Sequence, residues 1–448
     1  MISYVVAGML VGVATLFGVR RAALTVVLIR PPCDPVFGWV DAILPQSMGP
    51  GIGGAINLLV IGLAVIVFVH VPRVFLSPSL LAWCGFLLAA FASLIHGTNP
   101  AGGTRLLATL TTYAAVFSLP LAIVRSRDTA AECLWIAYLS SVVPTAWAVV
   151  ELAMVPDILF GGGGRLQGSF AHPNIFAFFI VSVIALILFL MRSTLIRLTR
   201  VRRRMLYAHA VALLILLLCT KTRSAWIAMA VILIGYAIFI DRRWFAFIVV
   251  LPAALLIPGI ADRMAELETG NIDVGFETLN SLAWREVLWE NTLQWMADNP
   301  STLLGHGLDL YESYLPLFFP RGTHEPGVGP HNTLLQIYFE MGLIGLTAFL
   351  AIFVVLFGQL YRGCTHERDG AIVIAMLCIG YLIVSYADNL LGYLNFEWFF
   401  WFVLGTVLAS MRIQRHLHRF GRFAMGRPSG QGHQQAKISA PLSPHHAP

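Results

Sequence analysis

The sequence predicts an all-α, polytopic transmembrane bundle of about 12 helices, with one large external loop that carries an amphipathic helix. Three observations predict it. Of the 448 residues, 58% are hydrophobic and only 12% charged, where a soluble globular chain carries about 25% charged residues. Apolar runs of about 16–25 residues recur from end to end without strict alternation, which is the length and texture of membrane helices. One stretch alone, 261–331, interrupts them at length, and it holds eleven acids against three basic residues. Within hydrocarbon only helices and closed barrels satisfy their own backbone, and the runs lack the period of a barrel.

Taken in order, the expected spans are 3–19, 55–71, 75–95, 106–124, 132–154, 173–191, 206–219, 224–240, 245–260, 332–359, 370–388 and 395–411. Residues 22–30 are apolar but too short to cross alone, so they add a thirteenth span only by joining their neighbours. The N-terminal run lacks a basic leader and a small-residue cleavage site, and reads as a retained membrane segment. Arg192–Arg204 contains six arginines and no acid, and the tail after Met411 is basic too. Short basic segments beside apolar runs mark the cytoplasmic side. Alternation then places 241–244 and 360–369 in the cytoplasm, and 155–172, 220–223 and 261–331 outside. The chain divides into helices over 1–260, the external loop 261–331, helices over 332–411 and a tail, 412–448. From about Gly426 the tail is rich in Pro, Ser, Gly, Gln and His and is expected to be disordered.

The net charge of +6 resides in those membrane-flanking segments, so it reports topology and gives no nucleic-acid site. The six cysteines form no CxxC pair and read as small apolar residues, not as a disulfide framework or metal site. In the loop, 281–298 spaces Leu282, Trp284, Val287, Leu288 and Trp295 along one helical face, and Asn299-Pro300 ends the helix.

Charge at a membrane edge is costly and needs a reason. Three arginines fall on the external side. Arg165 follows Gly161–Gly164 and precedes Pro173-Asn174; Arg223 lies in the tight turn Thr220–Ser224; Arg285 lies on the loop helix. Guanidinium is permanently charged and its planar fork matches phosphate oxygens. Each could equally be a snorkelling or helix-end arginine. His331-Asn332 stands where the loop meets the next span. Its imidazole suits proton transfer near neutral pH, and Asn332 suits a helix cap. His172, His306 and His324 read as structural, and loose loop acids such as Glu266 and Glu268 as a solvated face. No P-loop, G-x-S-x-G, H-E-x-x-H or DxD string occurs.

In these strings the chain resembles the O-antigen ligase and polymerase superfamily of membrane glycosyltransferases. The resemblance is carried by Arg165 to Asn174 (Arg-x-x-Gly-x-Phe-x-x-Pro-Asn), Thr222-Arg223-Ser224 and the Trp284-Arg285 to Trp289 helix. It continues through Asn299-Pro300 with Gly305-His306-Gly307, to His331-Asn332 with Glu340–Gly345. It implies a metal-independent, inverting enzyme without cofactor, in the bacterial inner membrane, with its active site on the periplasmic face. The donor it implies is an undecaprenyl-pyrophosphate-linked glycan. By resemblance, Arg223 and Arg285 would hold the pyrophosphate with Arg165 as a further member, His331 would be the base, and Asn174 and Asn332 would support the site. The acceptor would be a growing glycan in exopolysaccharide or O-antigen polymerisation, the preferred reading, or lipid A–core in a ligase. Membrane lipid and a chain-length regulator are the other candidate partners. A flippase for the same lipid-linked sugars is the alternative of a different class; it would place charge at the bilayer midplane, whereas the polar strings here fall at one edge.

Overall fold

The computed structural model describes residues 18–33, 51–160, 164–246, 281–319 and 329–425, with a few isolated positions besides. The expected spans 3–19 and 245–260, the acids Glu266 and Glu268, and the tail beyond residue 425 lie outside the described residues. Within them the chain is helical. The elements are α1 (Val19–Ile29), α2 (Gly51–His70), α3 (Pro78–His96), α4 (Pro100–Ile123), α5 (Arg127–Leu139), α6 (Val142–Met154), α7 (Pro173–Arg192), α8 (Arg200–Cys219) and α9 (Arg223–Phe239). After the loop's α10 (Ser281–Asp298) and α11 (Tyr311–Phe318) come α12 (Thr333–Gly363), α13 (Arg368–Ala387) and α14 (Leu394–Met425). Eight spans among the described residues are long and apolar enough to cross a bilayer, so the protein is a multi-pass membrane protein.

Burial separates the centre of the bundle from its lipid face. Over an 18-residue apolar stretch, 94% is buried in α7 and in the membrane part of α14, against 39% in α2, α3 and α12. An unbroken apolar sequence such as that of α7 is what a helix enclosed on all sides requires. α14 packs on α4 and α7, α9 on α13, and α12 on α3, while the short α1 rests on α5 and α2 without crossing.

The structure differs from the sequence expectation in four places. The run 132–154 is two helices, α5 and α6, parted at Ser140-Ser141. Both serine hydroxyls donate back to helix carbonyls, to Ala137 O at 2.7 Å and Tyr138 O at 2.6 Å. Pro144 then occupies the first turn of α6, where a missing N–H costs nothing. The long loop contains the second helix α11, which Pro316 had disguised. α14 continues to Met425, well past the expected end at 411, because no proline or turn residue stops it there. Finally, α12 is broken part-way along, and of the acids inside spans Glu340 and Glu397 are buried. Glu397 accepts from Tyr381 Oη at 2.8 Å and Trp401 Nε1 at 2.6 Å. Glu340 accepts from Gln336 Nε2 at 3.2 Å.

α12 is broken at Gly342, whose φ of 62° and ψ of −164° lie outside any helix. A break at membrane depth frees backbone groups that must find protein partners. The loop after α10 supplies them. Thr302 O and Leu303 O accept from Leu343 N at 2.8 Å and Ile344 N at 3.2 Å, while His306 N and Gly307 N donate to Phe339 O at 2.8 Å and Glu340 O at 3.0 Å. Ser93 Oγ of α3 adds a bond to Glu340 O at 2.7 Å. The apolar face of α10 closes over this junction: Leu288 and Met296 pack with Tyr311, Leu315, Phe319 and Phe339. The loop helices therefore lie on the bundle, and the path from Pro330 into α12 is held in one position.

A Cβ at Gly342 would meet the Leu303 backbone in a conformation that glycine alone adopts readily. Gly342→Ala is expected to cost about 1–3 kcal/mol, measured as a lower Tm of the detergent-solubilised protein. Gly358→Ala, on the same helix with no atom within 4 Å, should leave Tm unchanged or raise it.

Candidate functional site

The polar strings singled out in the sequence meet at one end of the bundle, around Asp388. This residue follows the last turn of α13 and is completely buried. Its Oδ2 accepts from Asn174 Nδ2 at 2.5 Å. Its Oδ1 accepts from its neighbour Asn389 N and from Tyr393 Oη, both at 2.9 Å. His331 Nδ1 stands 3.6 Å from the same oxygen, just beyond hydrogen-bond length. Asp388 O is taken up as well, by Thr333 N at 3.1 Å and Thr333 Oγ1 at 2.9 Å. The start of α12 is thereby clamped to the end of α13.

The arginines arrive from three elements. Arg165 is held by Thr220 O at 3.0 Å, Asn174 Oδ1 at 2.6 Å and Thr222 Oγ1 at 2.9 Å. Its loop is pinned in turn, since Glu151 of α6 accepts from Gly168 N at 2.7 Å and Leu166 N donates to Cys219 O at 3.1 Å. Arg285 donates to Ala387 O at 2.6 Å, one residue before Asp388. The same helix fixes its height with Trp289 Nε1 on Pro330 O at 2.7 Å. Arg223 opens α9 directly after Thr222, whose hydroxyl touches Arg165. Asn332 caps α12, accepting from Leu335 N at 3.0 Å. It acts on the site by orienting the residue before it.

His331 adopts φ 48°, a left-handed conformation uncommon for a residue with a side chain. Such strain persists where surrounding contacts over-determine it. Here the contacts are Asp388 on the Nδ1 side and the Trp284 ring, centroid to centroid 5.9 Å. With Nδ1 turned to the carboxylate, Nε2 is the nitrogen left to meet a reacting group.

Burial alone would raise the Asp388 carboxyl. The nearby His331 ring and the Arg285 charge outweigh it and hold the group below the usual carboxylate range. Burial, then the Asp388 charge, pushes the Tyr393 hydroxyl up, so it stays a donor. The rim thus combines a buried carboxylate, an imidazole beside it and the guanidinium groups of Arg165 and Arg285, with Arg223 next in the chain to Thr222.

The sequence reading missed Asp388 and Tyr393. Asp388 was counted as the last residue of the span 370–388, and an acid at the end of an apolar run was the available signal. His172, read as structural, caps α7 through Nδ1, which accepts Asn174 N–H at 3.1 Å. His306 lies away from the rim, its ring between Trp295 at 4.9 Å and Phe339 at 4.7 Å.

Fold and site define a polytopic helical membrane protein with a cationic rim, a buried acid and a histidine at one end. Residues 208–350 match the family described as O-antigen ligase, in agreement with the resemblance seen in the sequence. A protein named O-antigen ligase, from Salmonella typhimurium, is 26% identical over 159 residues, 33% of this chain and 37% of its own length. The chain thus matches little more than a third of that relative.

Removing the Asp388 side chain leaves Asn174 and Tyr393 without acceptors and His331 without its counterion. Asp388→Ala should cost about 3–5 kcal/mol, read as a loss of Tm in detergent. Because the folded-state value is depressed, the carboxylate's contribution is complete above the unfolded carboxylate value and is lost as pH falls through the folded one. Wild-type Tm should therefore drop below about pH 4 more steeply than that of Asp388→Asn.

Proposed function

We propose that this chain is an O-antigen ligase-like glycosyltransferase that takes glycans from an undecaprenyl-pyrophosphate carrier and passes them to a hydroxyl acceptor. The observation that carries the reading is the continuous polar path Arg165–Asn174–Asp388–His331, with Arg285 bonded one residue from Asp388. It joins cations suited to a pyrophosphate with a base held by a buried acid. The arginine-rich segment beginning at Arg192 lies at the other end of α7. The positive-inside rule then supports a site on the external face, which for this family reading is the periplasmic face of a bacterial inner membrane.

In this mechanism the acceptor hydroxyl oxygen attacks the anomeric carbon, and Nε2 of His331 takes its proton. Asp388 keeps the Nδ1 proton in place and stabilises the imidazolium that forms. The bond from the anomeric carbon to the pyrophosphate oxygen breaks as the new one forms, so the centre inverts. Arg285, Arg223 and Arg165 offset the charge gathering on the departing lipid pyrophosphate, and no resident metal is needed for that role. Asn174 ties Arg165 to Asp388, so the cation and the base keep a constant separation.

The acceptor is proposed to be the end of a growing glycan, making the protein a polymerase of exopolysaccharide or O-antigen repeat units, with chain length open to control by a partner. The likeness to a protein named O-antigen ligase favours a second reading, transfer to lipid A–core. A flippase is disfavoured because the intramembrane acids Glu340 and Glu397 are tied to neighbouring side chains and the arginines gather at a rim.

Purified protein in liposomes with undecaprenyl-pyrophosphate-linked repeat units should yield longer glycans. Adding lipid A–core as acceptor separates ligase from polymerase, and transbilayer movement without new bonds would indicate a flippase. His331→Ala should lower turnover by about 10²–10⁴-fold, the worth of a general base, while still inserting in the membrane. Asp388→Asn should fall in the same range through loss of the imidazole's counterion. Wild-type turnover in His331→Ala would remove that residue from the chemistry.

A further inference from the structure

His172 faces the same rim as the arginines and has a role beyond capping. A cap needs only an acceptor, and Ser, Thr, Asp and Asn are the residues that helix N-termini select. Here the cap is the Nδ1 of an imidazole, accepting Asn174 N–H at 3.1 Å. That bond fixes the tautomer: Nδ1 offers its lone pair to the helix, so the ring proton sits on Nε2. The side chain is partly buried and keeps an exposed edge, and Nε2 lies at the ring edge remote from the cap.

The surroundings define what that N–H can meet. Arg165 and Arg285 act on the His172 ring as cations, Asp388 acts as the opposing anion, and the His331 ring adjoins Asp388. Four groups from four chain segments therefore share one small region with it. Burial first, then the Arg165 charge, lowers its proton affinity, which keeps the ring neutral at pH 7. A neutral Nε2–H donates and cannot accept. The guanidinium groups gather anionic oxygens, whereas an attacking sugar hydroxyl has to give its proton to an acceptor. The donor edge of His172 matches the first of these and not the second.

We propose that His172 is a substrate-binding residue whose Nε2–H donates a hydrogen bond to a pyrophosphate oxygen of the lipid-linked donor, beside Arg165 and Arg285. This rests on the glycosyltransferase reading for the identity of the anion and on the geometry alone for the donor. The same residue that starts α7 then also touches the ligand, so the end of the most enclosed helix of the bundle is part of the site.

Two substitutions separate the roles. His172→Asn keeps a capping oxygen and has no group that reaches the Nε2 position. His172→Gln places an amide N–H near that position and caps poorly. The probe is farnesyl pyrophosphate, titrated into the full chain in nanodiscs and followed by tryptophan fluorescence, with Trp284 and Trp289 as nearby reporters. His172→Asn should keep wild-type Tm and bind about tenfold more weakly, as for loss of one hydrogen bond to a charged group. His172→Gln should bind within about threefold of wild type with a lower Tm, as a weakened cap predicts. Wild-type affinity in His172→Asn overturns the proposal, as does affinity that tracks Tm in both variants, or a wild-type protein that does not bind the probe. If His172→Asn loses affinity while wild-type liposomes make no glycan, the glycosyltransferase reading fails and the role of His172 stands. Glycan synthesis together with undiminished binding in His172→Asn gives the reverse.

Discussion

A carboxylate removed from water must be met by donors or cations from the protein itself, and Asp388 imposes that demand on every segment around it. Its oxygens draw in Asn174 from the start of α7, Tyr393 from the approach to α14, and His331 from the start of α12. Thr333 binds its carbonyl. Of these, Tyr393 alone is close in sequence to Asp388. One buried charge thus sets the relative heights of three membrane helices, and the arginines follow from that. Arg165 is positioned by the same Asn174 amide, and Arg285 by the carbonyl just before Asp388.

The second determinant is the break in α12. A straight helix would carry Thr333 to Gly363 past the rim without any link to the long loop. By interrupting its ladder at Gly342, α12 exposes amides and carbonyls that the 301–307 segment completes. The loop helices α10 and α11 dock through this junction and through their aromatic cluster, and Arg285 reaches the rim as a result. Strings that the sequence places far apart, Gly305-His306-Gly307 and Glu340-Met341-Gly342, are two halves of one backbone joint.

Much of this was readable from residue order, and the rest had physical reasons to hide. Long apolar runs gave the spans because a bilayer demands them, and the turn at Asn299-Pro300 ended α10 where expected. Arg165, Arg285 and His331 stood out because charge at a membrane edge is scarce. Asp388 did not, being one acid at the close of an apolar run, with side-chain partners between 5 and 214 residues away in the chain. The Gly342 break was invisible for a similar reason: a glycine in a helical run shows nothing of its backbone angles until the complementary loop is known. Glu340 and Glu397 were absorbed into their hydrophobic surroundings, since neither declares the tyrosine, tryptophan or glutamine that satisfies it.

The central position of α7 carries a mechanical implication. Its 20 residues rise about 30 Å, the thickness of a typical hydrocarbon slab. One tip carries the His172 cap, and the other is moored through Arg192 to Tyr236 at 2.6 Å and Asp241 at 2.8 Å. Sheathed almost wholly by other helices, it acts as an internal ruler. Lipids with longer or shorter acyl tails press on the peripheral helices, where tilting absorbs the mismatch. The depth of the rim is therefore set by the length of a protein strut and not by the membrane around it.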